Sequence, residues 1–148
     1  MGQKVKIGNR LVGDGEPCFI IAEAGVNHNG DLPLAKQLIK IAVEAGADAV
    51  KFQKRTNEDI LTKAALAAPY IKPTALGPTY GEHRAKLELS ETAWVELLAL
   101  AKEKGIMFSA SAWDPKSADF LERLGVPFYK IPSADLTNMP LLEHVAKK

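Results

Sequence analysis

A single cysteine, Cys18, stands in the 148 residues, so no intramolecular disulfide can form. Its place beside an apolar segment points to a buried small hydrophobe rather than a nucleophile. No apolar run approaches the ~20 residues that cross a bilayer. The opening, residues 1–6, lacks the apolar core of a signal peptide, and Lys6 stands where a myristoylation motif needs Ser or Thr. Neither charge sign dominates: 19 Lys and Arg against 18 Asp and Glu leave a net +1. There is no basic stripe to engage nucleic acid and no acidic tail. The expectation is a cytoplasmic protein with no nucleic-acid and no membrane partner. What is present is enough apolar content, 47%, for the core of one domain.

Short apolar segments alternate with amphipathic ones. A β-like opening, VKIGNRLVGDG (5–15), precedes a first buried strand, CFIIAE (18–23). Asp31 is placed to cap a helix over LPLAKQLIKIAVEAG (32–46), with Pro33 tolerated in its first turn. Leu34, Leu38, Ile41, Ala42 and Ala45 recur there at helical spacing, and Gly46 stops it. ADAVKFQ (47–53) reads as the second strand, and the polar stretch 54–89 as a long loop, functional or mobile. Ser90 opens a capping signal into TAWVELLALAKEKG (92–105), followed by a third strand, IMFSAS (106–111). Asp114-Pro115 starts a helix through KSADFLERLG (116–125). VPFYKI (126–131) reads as strand four, and Pro140 begins a helix running to Lys148. Alternation of this kind predicts βαβ units and a parallel sheet.

Three helices stop at a glycine, Gly46, Gly105 and Gly125, just before a strand. Lys51 and Lys130 each follow their glycine by five residues, and Ser111 follows by six. Together with Glu23 they fall at the C-terminal ends of successive parallel strands, where ligands bind in such folds. Two lysines at interior strand ends are costly without partners. Nearby carboxylates, Glu23 or Asp135, would neutralise them; an anionic substrate between them, with the Ser111 and Ser133 hydroxyls, would do so as well. A Schiff-base lysine is a third use of such a position. Gln53 shares strand parity with Lys51, as a binding group or a polar strand cap. Glu23 is either a proton-transfer group or a structural partner of a lysine. His28, between Asn27 and Asn29, fixes its loop by hydrogen bonding or faces a ligand. Tyr80, Glu82, His83 and Arg84 in TYGEHR either close over a polar substrate or sit in a solvated loop. No closely spaced His, Cys, Asp and Glu set predicts a metal ligand within the chain.

The segments IIAEAGVNHNG (20–30), GADAVKFQ (46–53), FSASAWD (108–114) and FYKIPSAD (128–135), in this order, resemble the sialic acid synthase family, from about residue 5 to the end. That resemblance implies the N-terminal half of a (β/α)8 TIM barrel: four βα units over 17–148, preceded by a β-hairpin over 1–16 that plugs the barrel bottom. It implies condensation of phosphoenolpyruvate with N-acetylmannosamine or a related N-acetylated amino sugar, with release of phosphate. Lys51 and Lys130 resemble the phosphoenolpyruvate-binding lysines, with Ser111 and Ser133 as accompanying hydroxyls. Gln53 and Asp135 correspond to positions facing the acceptor sugar, and Glu23 to the acidic residue of the first strand. Asn27 and His28 would shape the rim of the pocket, and Tyr80 and Arg84 would reach over it. A divalent metal, manganese or magnesium, is implied as cofactor, with its ligands outside this chain, and a homodimer for the full-length form.

A complete barrel needs ~250 residues. The expectation is therefore a fragment of a longer synthase, lacking the second half-barrel and the C-terminal antifreeze-like domain, or a half-barrel that self-associates. A fragment of this kind is expected to be inactive alone. A Schiff-base aldolase barrel and a non-catalytic anion- or phospho-sugar-binding module are the other readings.

Overall fold

The computed structural model describes residues 3–148; Met1 and Gly2, at the start of the expected hairpin region, lie outside the described residues. The hairpin forms as β1 (Lys4–Ile7) and β2 (Arg10–Gly13), paired antiparallel, with Gly8 supplying the positive φ of its turn. A side chain at Gly8 would meet the Met107 sulfur at 2.9 Å. The Arg10 guanidinium pairs with the Asp48 carboxylate, which also accepts a hydrogen bond from the Ile20 backbone N–H at 2.8 Å. These contacts tie the hairpin to the N-terminal ends of the sheet strands.

The sheet has four parallel strands in sequence order: β3 (Ile21–Gly25), β4 (Ala49–Lys54), β5 (Met107–Ala112) and β6 (Tyr129–Lys130). Between them run α1 (Leu32–Glu44), α5 (Glu91–Lys104) and α6 (Pro115–Leu124). Each begins at the expected cap: Leu34 N–H donates to Asp31 at 2.6 Å, Ala93 N–H to Ser90 at 3.2 Å and Ser117 N–H to Asp114 at 2.8 Å. Gly105 and Gly125 close α5 and α6 in the left-handed conformation, as Gly46 does one residue after the α1 cap. The core lies between these helices and one sheet face. There Val50, Phe52, Phe108 and Ala110 meet Ile39, Trp94, Leu97 and Leu121. Trp94 stands edge-on to Phe52, Phe108 and Phe120, at centroid separations of 6.2, 5.7 and 6.0 Å.

Several boundaries differ from expectation. Cys18 is exposed, because the first strand starts only at Ile21. On α1 the buried stripe is Ala35, Ile39 and Ala42, while Leu34 and Ile41 face outward. The helix is apolar on more than one side, so its periodicity alone does not choose the buried face. The last strand shrinks to two residues: Pro127 has no N–H to give, and β6 has a neighbour on one side only. The final helix, α7 (Met139–Val145), is capped by Asn138 and stops before Lys148.

The expected loop 54–89 instead holds three short helices: α2 (Asn57–Ile60), α3 (Lys63–Ala67) and α4 (Tyr80–Leu87). Thr62 and Thr79 cap the last two. Backbone bonds Tyr70 N–H to Pro78 O and Tyr80 N–H to Ala68 O, both 2.9 Å, clamp the connection shut. Tyr70 stacks on His83 at 4.5 Å. These contacts are non-local, and the short helices carry too few residues for an apolar period, so the sequence pattern misses them.

Candidate functional site at the strand ends

Residues that alternate with the core set, Lys51 and Gln53 on β4 and Ser109 and Ser111 on β5, project from the face opposite the helices. The register sorts them into two levels. Glu23 pairs with Lys51, and Lys51 with Ser109. Two residues further along, Gln53 pairs with Ser111, and Ser111 with Lys130. Counting from the stop glycines had placed Lys51 and Lys130 at equivalent positions; pairing puts Lys130 one level above. The connections from glycine to strand differ in length, and only hydrogen-bond register reveals it.

The Lys51 ammonium forms an ion pair with the Glu23 carboxylate. Just beyond Glu23 the strand bulges, and Gly25 turns at φ +56°. A Cβ there would lie 3.1 Å from Glu23 Oε1 and 3.6 Å from Gln53 Nε2, so glycine leaves room for both groups. Among the described residues no carboxylate lies within ion-pair distance of Lys130. Asp135 is not its partner: it ends a 3-10 turn begun by the exposed Ser133, and accepts a hydrogen bond from Asn138 Nδ2 at 2.9 Å.

The VNHNG loop is held by its own polar atoms. Asn27 Nδ2 donates to Ala24 O at 3.1 Å, and Gly30 N–H donates to His28 Nδ1 at 3.0 Å. His28 is 2% exposed, with its ring 5.8 Å from that of Phe52. Burial pushes its pKa below the ordinary 6.5, and the charge of Arg55 adds to the effect. Accepting the Gly30 N–H through Nδ1, its imidazole shapes the loop.

Beside the polar face is a cavity of about 500 Å³ whose wall includes Tyr80, Arg84, Trp113, Asp114, Asp135 and Asn138. Tyr80 and Arg84 come from α4, so the structured connection brings them to the strand ends. Arg84 Nη1 donates to Tyr80 OH at 3.3 Å, and its guanidinium lies 5.5 Å from the Tyr80 ring centre. Lys51 and Lys130 are not part of that wall. A second cavity, about 540 Å³, lies under the hairpin among Arg10, Asp48, Met107 and Pro127, at the opposite end of the strands. Among the described residues no three His, Cys, Asp or Glu side chains converge where a metal ion could be held.

The NeuB family pattern matches residues 38–148. The chain belongs to the NeuB family. It is 49% identical over 139 residues to the N-acetylneuraminate-9-phosphate synthase of Homo sapiens, covering 94% of this chain and 39% of that protein. It is 48% identical to the N,N'-diacetyllegionaminic acid synthase of Legionella pneumophila, covering 100% of this chain and 42% of that one. The solved N-acetylneuraminic acid synthetase of Leptospira borgpetersenii superposes with a TM-score of 0.81 at 33% identity, over 99% of this chain and 47% of that structure. The chain thus spans less than half the length of these relatives. Its four-stranded sheet and helices correspond to the N-terminal part of the synthase barrel.

Within this NeuB-family half-barrel, the sequence missed Arg55 and Asn57 near the site and saw only the capping role of Asp114. Arg55 is 4% exposed and its Nε donates to Glu88 at 2.9 Å. It extends the alternation of Lys51 and Gln53, the signal that would have found it. Asn57 is buried and accepts from Arg84 Nε at 3.4 Å. Buried Asp114 accepts from the N–H and hydroxyl of both Thr56 and Ser117, fastening the end of β4 to the start of α6. The helix-capping signal identified Asp114, but nothing local shows its bonds to Thr56.

Proposed function

We propose that this chain contributes the donor-binding part of a synthase that condenses phosphoenolpyruvate with a 2-acetamido sugar to give a nonulosonic acid, releasing phosphate. One observation carries the reading: two lysines, Lys51 and Lys130, share a sheet face with Ser111 and Gln53, and Lys130 has no carboxylate within ion-pair distance among the described residues. A trianionic donor would complete that arrangement. Glu23 holds Lys51 until then.

In this mechanism the donor's C3 attacks the aldehyde carbon of the acceptor, and a carbon–carbon bond forms as the enol pair moves. The aldehyde oxygen gains a proton, water adds at C2, and C2 expels phosphate. Lys51 and Lys130 hold the donor's phosphate and carboxylate, with Ser111 and Ser133 as hydroxyl donors. Their fixed charges oppose charge build-up as the phosphate departs. Gln53 and Asp135 face the acceptor's hydroxyls, and Asn27 and His28 maintain the rim. The divalent cation that such chemistry uses would be bound by residues outside these 148. A homodimer of the whole synthase and a cytoplasmic location belong to the same proposal; no helix among the described residues is long and apolar enough to cross a membrane.

Two relatives of similar identity, a 9-phosphate synthase and a legionaminic acid synthase, differ in product, so overall identity does not choose the acceptor. Phosphoenolpyruvate titrated into the protein by calorimetry tests the donor role. Binding that disappears in both Lys51→Ala and Lys130→Ala is expected. Affinity unchanged by either substitution overturns the reading. A borohydride-trapped adduct with a keto substrate, lost in Lys130→Ala, would favour an aldolase instead.

A further inference from the structure

The 540 Å³ cavity under the hairpin lies at the N-terminal end of the sheet, away from Lys51, Gln53 and Ser111. It is built at the starts of the two central strands, β4 and β5, each paired on both sides, so an unpaired sheet edge does not create it. The hairpin turn roofs it: Asn9 and Arg10 belong to the wall, and a Cβ on Gly8 would already touch Met107 and Pro127. Leu98, Ile106, Met107, Phe108 and Pro127 give it an apolar side.

Three charged side chains border the cavity, Arg10, Asp48 and Lys102, so two cations against one carboxylate leave +1. The carboxylate is spent: one Asp48 oxygen holds Arg10 Nη1 and the other accepts the Ile20 N–H at 2.8 Å. Among the described residues the other N–H groups of Arg10 find no acceptor, and no carboxylate lies within ion-pair distance of Lys102. The C-terminal ends of α5 and α6 reach the wall through Gly105 and Gly125, and bare helix carbonyls there would favour a cation. Four of those carbonyls are already bonded. Ala101 O accepts from Ile106 N–H at 3.0 Å and Lys102 O from Gly105 N–H at 3.2 Å; Leu121 O accepts from Val126 N–H at 3.3 Å and Glu122 O from Gly125 N–H at 2.9 Å. The balance at the wall stays positive.

We propose that this cavity binds a small apolar monocarboxylate, with its carboxylate on Lys102 and the spare N–H groups of Arg10 and its hydrocarbon body against Leu98, Met107 and Pro127. One charge contact on an otherwise apolar concave wall is the usual form of a small-molecule site, and a charge-assisted bond fixes the ligand's orientation. An amino acid suits it less, because no carboxylate is free to take the ammonium. The site is independent of the chemistry at the opposite strand ends.

The test is an NMR titration of the purified protein with carbon-13-labelled methionine methyls, because Met107 borders the cavity and Met139 on α7 does not. The probes are 3-phenylpropionate, 3-phenylpropan-1-ol, 3-phenylpropylamine and acetate, each titrated separately. The phenylpropionate should shift the Met107 methyl, leave that of Met139 in place, and bind at least about tenfold more tightly than the other three. Lys102→Gln should bring the acid and the alcohol to within about twofold of each other, and Lys102→Arg should keep most of the preference. Equal affinity for the acid and the alcohol in the unaltered protein overturns the proposal, and so does a shift confined to Met139; neither readout depends on a variant folding. Acetate binding as tightly as phenylpropionate overturns it by making the site one for any anion. Tighter binding of the amine overturns it by giving the cavity to the helix carbonyls. An acid preference unchanged in Lys102→Gln overturns it by removing the contact on which it rests. Absence of a Met107 shift with all four probes overturns it outright.

Discussion

Glu23 and Lys51 stand opposite each other on adjacent parallel strands and form an ion pair whose members are unequally shielded: the lysine side chain is 9% exposed and the glutamate 52%. Removing the carboxylate strands a shielded ammonium, whereas removing the lysine leaves a carboxylate that water can reach. Glu23→Gln should therefore lower unfolding free energy by about 1–2 kcal/mol, and Lys51→Met by less. In the double variant the Glu23→Gln effect should vanish, as urea unfolding of all four proteins would show.

The buried His28 gives a pH dependence with a definite sign. Its native pKa lies below the unfolded value of 6.5, so the unfolded chain takes up the proton first as pH falls. The His28 contribution is fully favourable above the unfolded pKa and is lost as pH drops through 6.5 toward the native value. Urea midpoints measured from about pH 7.5 to about pH 5 should fall, and His28→Asn should flatten that slope. An identical slope in the variant would assign the effect to other groups.

Gly30 closes the loop before α1 at φ +79°, and a Cβ there would lie 2.0 Å from the Lys86 carbonyl oxygen of α4. Gly30→Ala should cost on the order of 2 kcal/mol or more, through both backbone conformation and the clash. Gly15, also at positive φ, has nothing within 4 Å of its Cβ, so Gly15→Ala carries only the conformational cost. Thermal or urea unfolding of the pair separates the two contributions.

Asp114 links two segments that are far apart in sequence. Asp114→Ala removes the α6 cap and leaves the Thr56 N–H without its partner, for an expected loss of about 2–4 kcal/mol. Asp31→Ala, which removes only a local cap at an exposed helix start, should cost about 1 kcal/mol. Equal losses would show that the Thr56 bonds contribute nothing.

Local signals in the sequence determined the repeating architecture. Asp31, Ser90 and Asp114 cap helices, and Gly46, Gly105 and Gly125 adopt the left-handed turns that stop them, because these preferences depend on a few neighbouring atoms. Strand alternation likewise put Lys51 and Gln53 on one face, as the pleat requires. Tertiary structure alone decided the rest. The level of Lys130 beside Ser111 depends on register between strands, the outward turn of Leu34 and Ile41 on which stripe the sheet receives, and the arrival of Arg84 beside Tyr80 on a connection clamped by distant backbone bonds. The burial of Arg55 against Glu88 joins residues 33 apart. Each of these outcomes is an energy shared between segments remote in the chain, and no window of neighbouring residues contains it.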